Sequence, residues 1–238
     1  AEPPKIIETN GIVPEGCTYT PVSTKEDITS GNTIPSDVEV GDIFTDGEYE
    51  YHFSQYFEPL ANNWVNMSGY SYGSNPEYAK FGWSCKALRT KTQEKYNAPY
   101  SQINGAPITI MSGTYLGCKK LIEAPQIPES VYDIRGIFEY CENLVDASDW
   151  VIPNTVELAD SAFAYCTNLT KTPVFPDSIT QAQGLFENCI SLVTLSNPLP
   201  QNASDLSNAF AYCRSLIVAP KISNNVQNIQ NMFQDCSL

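Results

Sequence analysis

The side chains best suited to chemistry in this 238-residue chain are eight cysteines and a single histidine, His52. Six of the cysteines recur in one phrase, with an aromatic residue three positions ahead of the sulfur. The pairs are Tyr115 and Cys118, Phe138 and Cys141, Phe163 and Cys166, Phe186 and Cys189, Phe210 and Cys213, and Phe233 and Cys236, with steps of 23, 25, 23, 24 and 23 residues between cysteines. Thiols at such intervals could form a metal set, a disulfide framework or an inert buried column. A metal set is disfavoured, because no histidine accompanies them and thiolates one repeat apart in a stack do not make a tetrahedron. Equivalent positions in stacked repeats lie roughly 5 Å apart, which alone permits a bridge. The side chains would nevertheless point in parallel toward the core, and nothing would stop the pairing at pairs. Six free, buried thiols acting as small apolar groups are therefore expected. Cys17 and Cys85 lie outside the series. Two readings stand for them: a disulfide, as in secreted proteins, or a buried Cys85 sharing a strand face with Phe81 and Trp83.

Any Ser-His-Asp or Cys-His arrangement must use His52. It stands between Tyr51 and Phe53 in an alternating run, on the solvent side of an expected strand. There is no glycine-rich phosphate loop. The 27 acidic residues allow many carboxylate pairs, but no spacing singles one out. The chain thus reads as a non-enzyme without cofactor or metal. An extracellular polymer hydrolase with carboxylates in the N-terminal region is the alternative. A net charge of −14 argues against nucleic acid and anionic membrane surfaces as partners. No apolar run reaches the ~18 residues that would insert in a membrane.

The elements that position the cysteines follow from the columns around each aromatic residue. Apolar residues recur seven before it (Ile108, Val131, Val156, Ile179, Ala203, Val226), four before it (Met111, Ile134, Ala159, Ala182, Leu206, Ile229) and three after the cysteine (Leu121, Leu144, Leu169, Leu192, Leu216). These offsets lie near one face of a helix or a run of helical turns. Proline then ends that face, and the stretch between leucine and proline reads as a brief strand. The expected fold is a right-handed α/β solenoid of short strands and helical turns, with Phe138, Phe163, Phe186, Phe210 and Phe233 stacked inside.

The repeated Cys-x-x-Leu and the period resemble leucine-rich repeats, and more closely the BspA-like repeats of bacterial cell-surface proteins. Ile127-Pro128-Glu129-Ser130-Val131 leading to Phe138-Glu139-Tyr140-Cys141 carries the likeness, as does Val174-Phe175-Pro176-Asp177-Ser178-Ile179 leading to Phe186-Glu187-Asn188-Cys189. It covers about residues 106–238 in five and a half units. The first unit departs from it with Tyr115, and the last stops short of its leucine. The resemblance implies an extracellular or surface-attached protein whose signal peptide has been removed. It also implies adhesion or interaction through the solenoid surface, with a protein or glycan ligand. Two after the repeat leucine, Glu123, Asp146, Lys171, Thr194 and Val218 are the candidates for the binding face. Tyr140, Tyr165 and Tyr212, one before each cysteine, read as a packing column.

Residues 1–40 read as an arm or linker. Residues 41–105 read as a small β-rich unit that caps the first repeat, with a tight turn at Asp46-Gly47. A long loop over 58–78 carries Trp64, Tyr70, Tyr72 and Tyr78, which could stack on sugar rings or simply pack. At the far end, Val226, Ile229, Met232 and Phe233 lack a polar cap. This end is expected either to be covered by a partner chain, most simply a second copy meeting it about a two-fold axis, or to mark a missing continuation.

Overall fold

The computed structural model describes residues 4–57, 79–88 and 92–237. The N-terminal part is one mixed sheet of eight strands. They are β1 (Lys5–Ile6), β2 (Thr18–Thr20), β3 (Ile28–Thr29), β4 (Ile43–Thr45), β5 (Tyr49–Phe57), β6 (Ala79–Ala87), β7 (Tyr100–Ile103) and β8 (Ala106–Ile110). The spatial order is β1-β7-β8-β6-β5-β4-β2-β3. Pairing is antiparallel except for β1 on β7 and β6 on β8. Asp46 Oδ1 accepts the Glu48 and Tyr49 N–H groups, and Gly47 takes the left-handed conformation, so the β4–β5 hairpin closes where its sequence demands. Alternation along β5 buries Tyr49, Tyr51 and Phe53 against Trp83 and Cys85 of β6.

Within the expected arm of residues 1–40, the described residues 4–40 are built into the fold. β1, β2 and β3 extend the sheet, and Ile7, Val13, Tyr19 and Ile34 are buried. Tyr19 donates to Asp42 Oδ2, and Asp42 also accepts the Val22 and Glu39 N–H groups, so a buried carboxylate ties this segment down. The short strands escaped the sequence reading because each spans only two or three residues, too few to show a period.

Beyond β8 come six stacked rungs, and no helix forms among the described residues. The third rung shows why. The N–H groups of Ala159, Ser161, Phe163 and Tyr165 donate forward to the carbonyls of Gln181, Gln183, Leu185 and Glu187 in the next rung. The intervening N–H groups of Ala162, Ala164 and Cys166 donate back three residues, to Ala159, Ser161 and Phe163. Each rung is thus a run of overlapping β-turns whose alternate donors stitch it to its neighbour. Turns with a left-handed third residue must recur every four residues. They do so two before the aromatic (Gly113, Gly136, Ser161, Gly184, Asn208, Asn231) and two after it (Gly117, Tyr140, Tyr165, Asn188, Tyr212, Asp235), with φ between 54° and 73°. A helix cannot contain that backbone. The expected helical turns are therefore this turn spiral, and the expected strands shrink to isolated bridges such as Asp146 to Lys171 and Val151 to Val174.

Side chains complete the donor account at the third position before the aromatic. Asp133, Asp205 and Asn228 each accept the N–H two residues on, and Asp160 accepts that of Gln183 in the next rung. Inside the stack, Tyr115, Phe138, Phe163, Phe186 and Phe210 are fully buried, with rings 5.4–5.6 Å apart. Phe233 continues the column at 5.7 Å but is only half-buried. Trp150 wedges edge-on against Phe138 and donates to the Pro125 carbonyl.

The sheet covers the first rung. β6 runs beside β8, Ala87 donates to the Thr114 carbonyl, and Thr114 Oγ1 donates to the Cys85 carbonyl. Gly82 permits the approach, since a Cβ there would lie 2.2 Å from Thr109 Oγ1. Tyr115 replaces phenylalanine because its ring meets this lid. Tyr49 donates to the Asn97 carbonyl and so accepts from the Tyr115 hydroxyl at 2.8 Å. At the sixth rung, the N–H groups of Ile229, Asn231, Phe233 and Asp235 find no acceptor among the described residues. Two such faces meeting about a two-fold axis would set donors against donors.

Two stability measurements check this packing. Phe186→Ala empties a central site and should cost about 3–5 kcal/mol in denaturant unfolding; an unchanged midpoint contradicts the buried column. Burial foremost raises the Asp160 carboxyl to about 6, with Asp205 and Asp133 adding to the rise while the Gln183 N–H and Arg135 oppose it. An unfolded aspartate titrates near ~3.9, so the folded state holds its proton more tightly. Stability therefore falls as pH climbs from about 4 to about 6. Asp160→Asn should be more stable than the parent by about 2 kcal/mol at pH 7 and equal to it near pH 3. An equal gap at both pH values contradicts the burial.

Candidate functional site: the exposed columns of the repeat

The thiol column is structural. Each sulfur donates to the carbonyl of the aromatic residue one rung back: Cys141 to Tyr115 at 3.2 Å, and Cys166, Cys189, Cys213 and Cys236 to Phe138, Phe163, Phe186 and Phe210 at 3.1 Å. These five sulfurs aim at carbonyls, Cys118 in the first rung instead meets Cys141 and the Tyr96 hydroxyl, and all eight cysteines are free. Burial pushes the Cys141, Cys166 and Cys189 thiols far above their usual value and Cys213 up to about 12. Cys118 is held low by its hydrogen bonds with Cys141 first and then Tyr96, with burial opposing. Cys17 and Cys85 stand apart as buried thiols, the former 3.9 Å from the Tyr100 hydroxyl.

In the N-terminal unit, the candidate polar groups among the described residues are paired locally. His52 is partly exposed on the outer face of β5, with Nε2 2.5 Å from Glu50 Oε1. A shallow cavity of about 360 Å³ is lined by Asp46, Gly47, Glu48, Gln93 and Asn97. Its carboxylates are committed to backbone: Asp46 to the hairpin turn, and Glu48 to the Asn97 N–H and side-chain amide. No group of three or more potential metal ligands exists among the described residues. No helix among them is long and apolar enough to cross a membrane. Trp64, Tyr70, Tyr72 and Tyr78 lie outside the described residues.

The surface is richer on the segments between leucine and proline. Glu123, Asp146, Lys171, Thr194 and Val218 are all exposed there. Two pair off. Lys171 Nζ lies 2.6 Å from Asp146 Oδ2 across neighbouring rungs, and its hydrogen bond brings the Asp146 carboxyl down to about 2. Glu123 meets Lys95 of the N-terminal unit at 2.5 Å. The five candidates therefore do not form one cluster.

The neighbouring column was missed from sequence. One after the repeat leucine come Ile122, Val145, Thr170, Val193 and Ile217, and the four aliphatic members are 45–64% exposed. Thr170 N–H donates to the Val145 carbonyl and Ile217 N–H to that of Val193, so these two pairs of column residues are neighbours across rungs. Val151, Val174 and Val218, also more than half exposed, widen it. The signal was present, because a branched residue follows every repeat leucine. Sequence alone does not separate it from the core, since an aliphatic residue beside a core leucine looks like more core.

The thiol geometry yields a direct check. In the native protein the buried ladder thiols of Cys118, Cys141, Cys166, Cys189 and Cys213 should not react with a thiol reagent on the minute scale at pH 8, only the partly exposed Cys236 being open to it, and denaturation without reductant should release eight thiols. Rapid native labelling of several, or fewer than eight after denaturation, contradicts it.

Residues 134–238 match the BspA type leucine rich repeat region in six copies, from the second rung onward. Among solved structures, the chain is similar to a T. pallidum leucine rich repeat protein (TpLRR), at 19% identity over 66% of this chain and 77% of that one, with a TM-score of 0.43. No curated protein matches. The aromatic, cysteine and leucine columns, stacked rung on rung and matched in six copies, place residues 134–238 among the BspA-type leucine-rich repeats.

Proposed function

We propose that this chain is a non-enzymatic interaction module of a secreted or cell-surface protein, and that it binds a protein partner through the segments between leucine and proline of its solenoid. The exposed aliphatic column carries the reading. Soluble proteins scatter single exposed aliphatics, but contiguous ones mark contact surfaces. Here Ile122, Val145, Val193 and Ile217 repeat at one place in four of five rungs, joined by Val151, Val174 and Val218. Rung stacking holds them rigidly, so little order is lost when a partner docks. Asp146, Asp149 and Lys171 give the patch a polar rim. The net charge of −14 favours a partner with a basic rim.

The test is a surface-binding screen of the purified protein against extracellular matrix proteins, serum proteins and glycans, repeated with the double variant Val193→Asp and Ile217→Asp. Both positions are solvent-exposed, so the melting temperature should hold. A protein ligand should appear in the screen and bind the variant at least about tenfold more weakly. Equal binding by parent and variant, or ligands only among glycans, contradicts the assignment.

A further inference from the structure

The left-handed column two after each aromatic reads Gly117, Tyr140, Tyr165, Asn188, Tyr212, Asp235. Glycine, asparagine and aspartate suit that backbone, whereas a bulky L-residue there costs roughly 1–2 kcal/mol. Tyrosine occupies it three times, at φ of 61°, 60° and 64°. Tyr140 and Tyr165 stack at 4.4 Å with planes 20° apart. That contact accounts for two of the three. Tyr212 has no ring beside it among the described residues. Its hydroxyl accepts from Gln234 Nε2 at 3.0 Å, toward the last rung and away from Tyr165.

Between Tyr165 and Tyr212 stands only Asn188. Neighbouring rings lie 5.6 Å apart in the phenylalanine column and 4.4 Å apart between Tyr140 and Tyr165, so two rung steps amount to roughly 9–11 Å between the tyrosine positions. One ring fits such a gap, since ring contacts form at ~4.5–7 Å between centroids. The Asn188 amide makes no hydrogen bond among the described residues, and the Glu187 carboxylate beside it has no ion-pair partner among them.

We propose that this slot between Tyr165 and Tyr212 binds a neutral sugar ring. The tyrosine faces would cover the C–H faces of a pyranose. The Asn188 amide, which offers a donor and an acceptor, and the Glu187 carboxylate, an acceptor, would meet its hydroxyls. An aromatic side chain of a partner would fill the same gap but leave those polar groups unpaired. Uronic and other acidic sugars meet Glu187 and a protein of net charge −14. The slot uses a different column from the aliphatic patch and does not rest on it.

Saturation-transfer NMR on the full chain reads weak binding directly. The probes are neutral oligosaccharides of glucose, galactose, mannose and N-acetylglucosamine, an oligouronate, and indole as an aromatic side-chain mimic. At least one neutral saccharide should give transfer, and Tyr212→Ala should weaken it about tenfold. Asn188→Tyr should continue the tyrosine stack through the gap, hold or raise the melting temperature, and abolish the transfer. Transfer to no neutral saccharide overturns the proposal, as does transfer to indole or the oligouronate alone. Binding by Asn188→Tyr equal to the parent overturns it as well, since a filled slot cannot be the site.

Discussion

Everything in the repeat region hangs on one alternation of backbone donors. Around each aromatic residue, even-numbered offsets donate N–H groups forward to the next rung, and odd ones donate back three residues within their own. This satisfies buried amides without a helix or a regular sheet, in segments too short for either. It also fixes what the side chains do. The residue at the centre of the spiral must point inward, so the phenylalanines stack at the rung spacing. The cysteine three residues on finds the carbonyl of the previous aromatic within reach of its thiol. Cysteine fits because it is small, apolar and still able to donate weakly. The column of sulfurs is therefore part of the hydrogen-bond system, and its regularity reflects packing rather than chemistry on a substrate.

The same alternation gives the stack a direction. Each rung donates forward and accepts from behind, so the first rung needs a donor at its back and the last offers donors at its front. β6 supplies the first need through Ala87. That is why the N-terminal sheet is joined to the repeats by backbone pairing as well as by side-chain contact. The hydroxyl of Tyr115, absent from the later phenylalanines, marks the joint.

Much of this was legible in the residues. The period, the inward phenylalanines and the buried leucines and cysteines follow from type and spacing alone. The rung conformation did not. Offsets of −7, −4, 0 and +3 suit a helix, and a spiral of four-residue turns gives almost the same spacing. What separates them is the residue two before each aromatic. Gly113, Gly136, Gly184, Asn208 and Asn231 are poor helix formers and good left-handed residues. Tyr140, Tyr165 and Tyr212 hid the matching column on the other side, because tyrosine gives no sign of a positive φ. On the surface, Glu123, Asp146 and Lys171 drew attention by charge, yet they pair locally, whereas the unpaired aliphatic residues beside them form the larger continuous feature. Burial decides which apolar residue is core, and burial is a property of the stack rather than of any one repeat.

The forward ladder can be seen directly by scalar coupling across hydrogen bonds in isotopically labelled protein. The amide nitrogen of Phe163 should couple to the carbonyl carbon of Leu185, and that of Ser161 to the carbonyl carbon of Gln183, both in the next rung. Coupling of Phe163 to the carbonyl of Ala159, four residues back, would mean a helix in each repeat and would contradict the account.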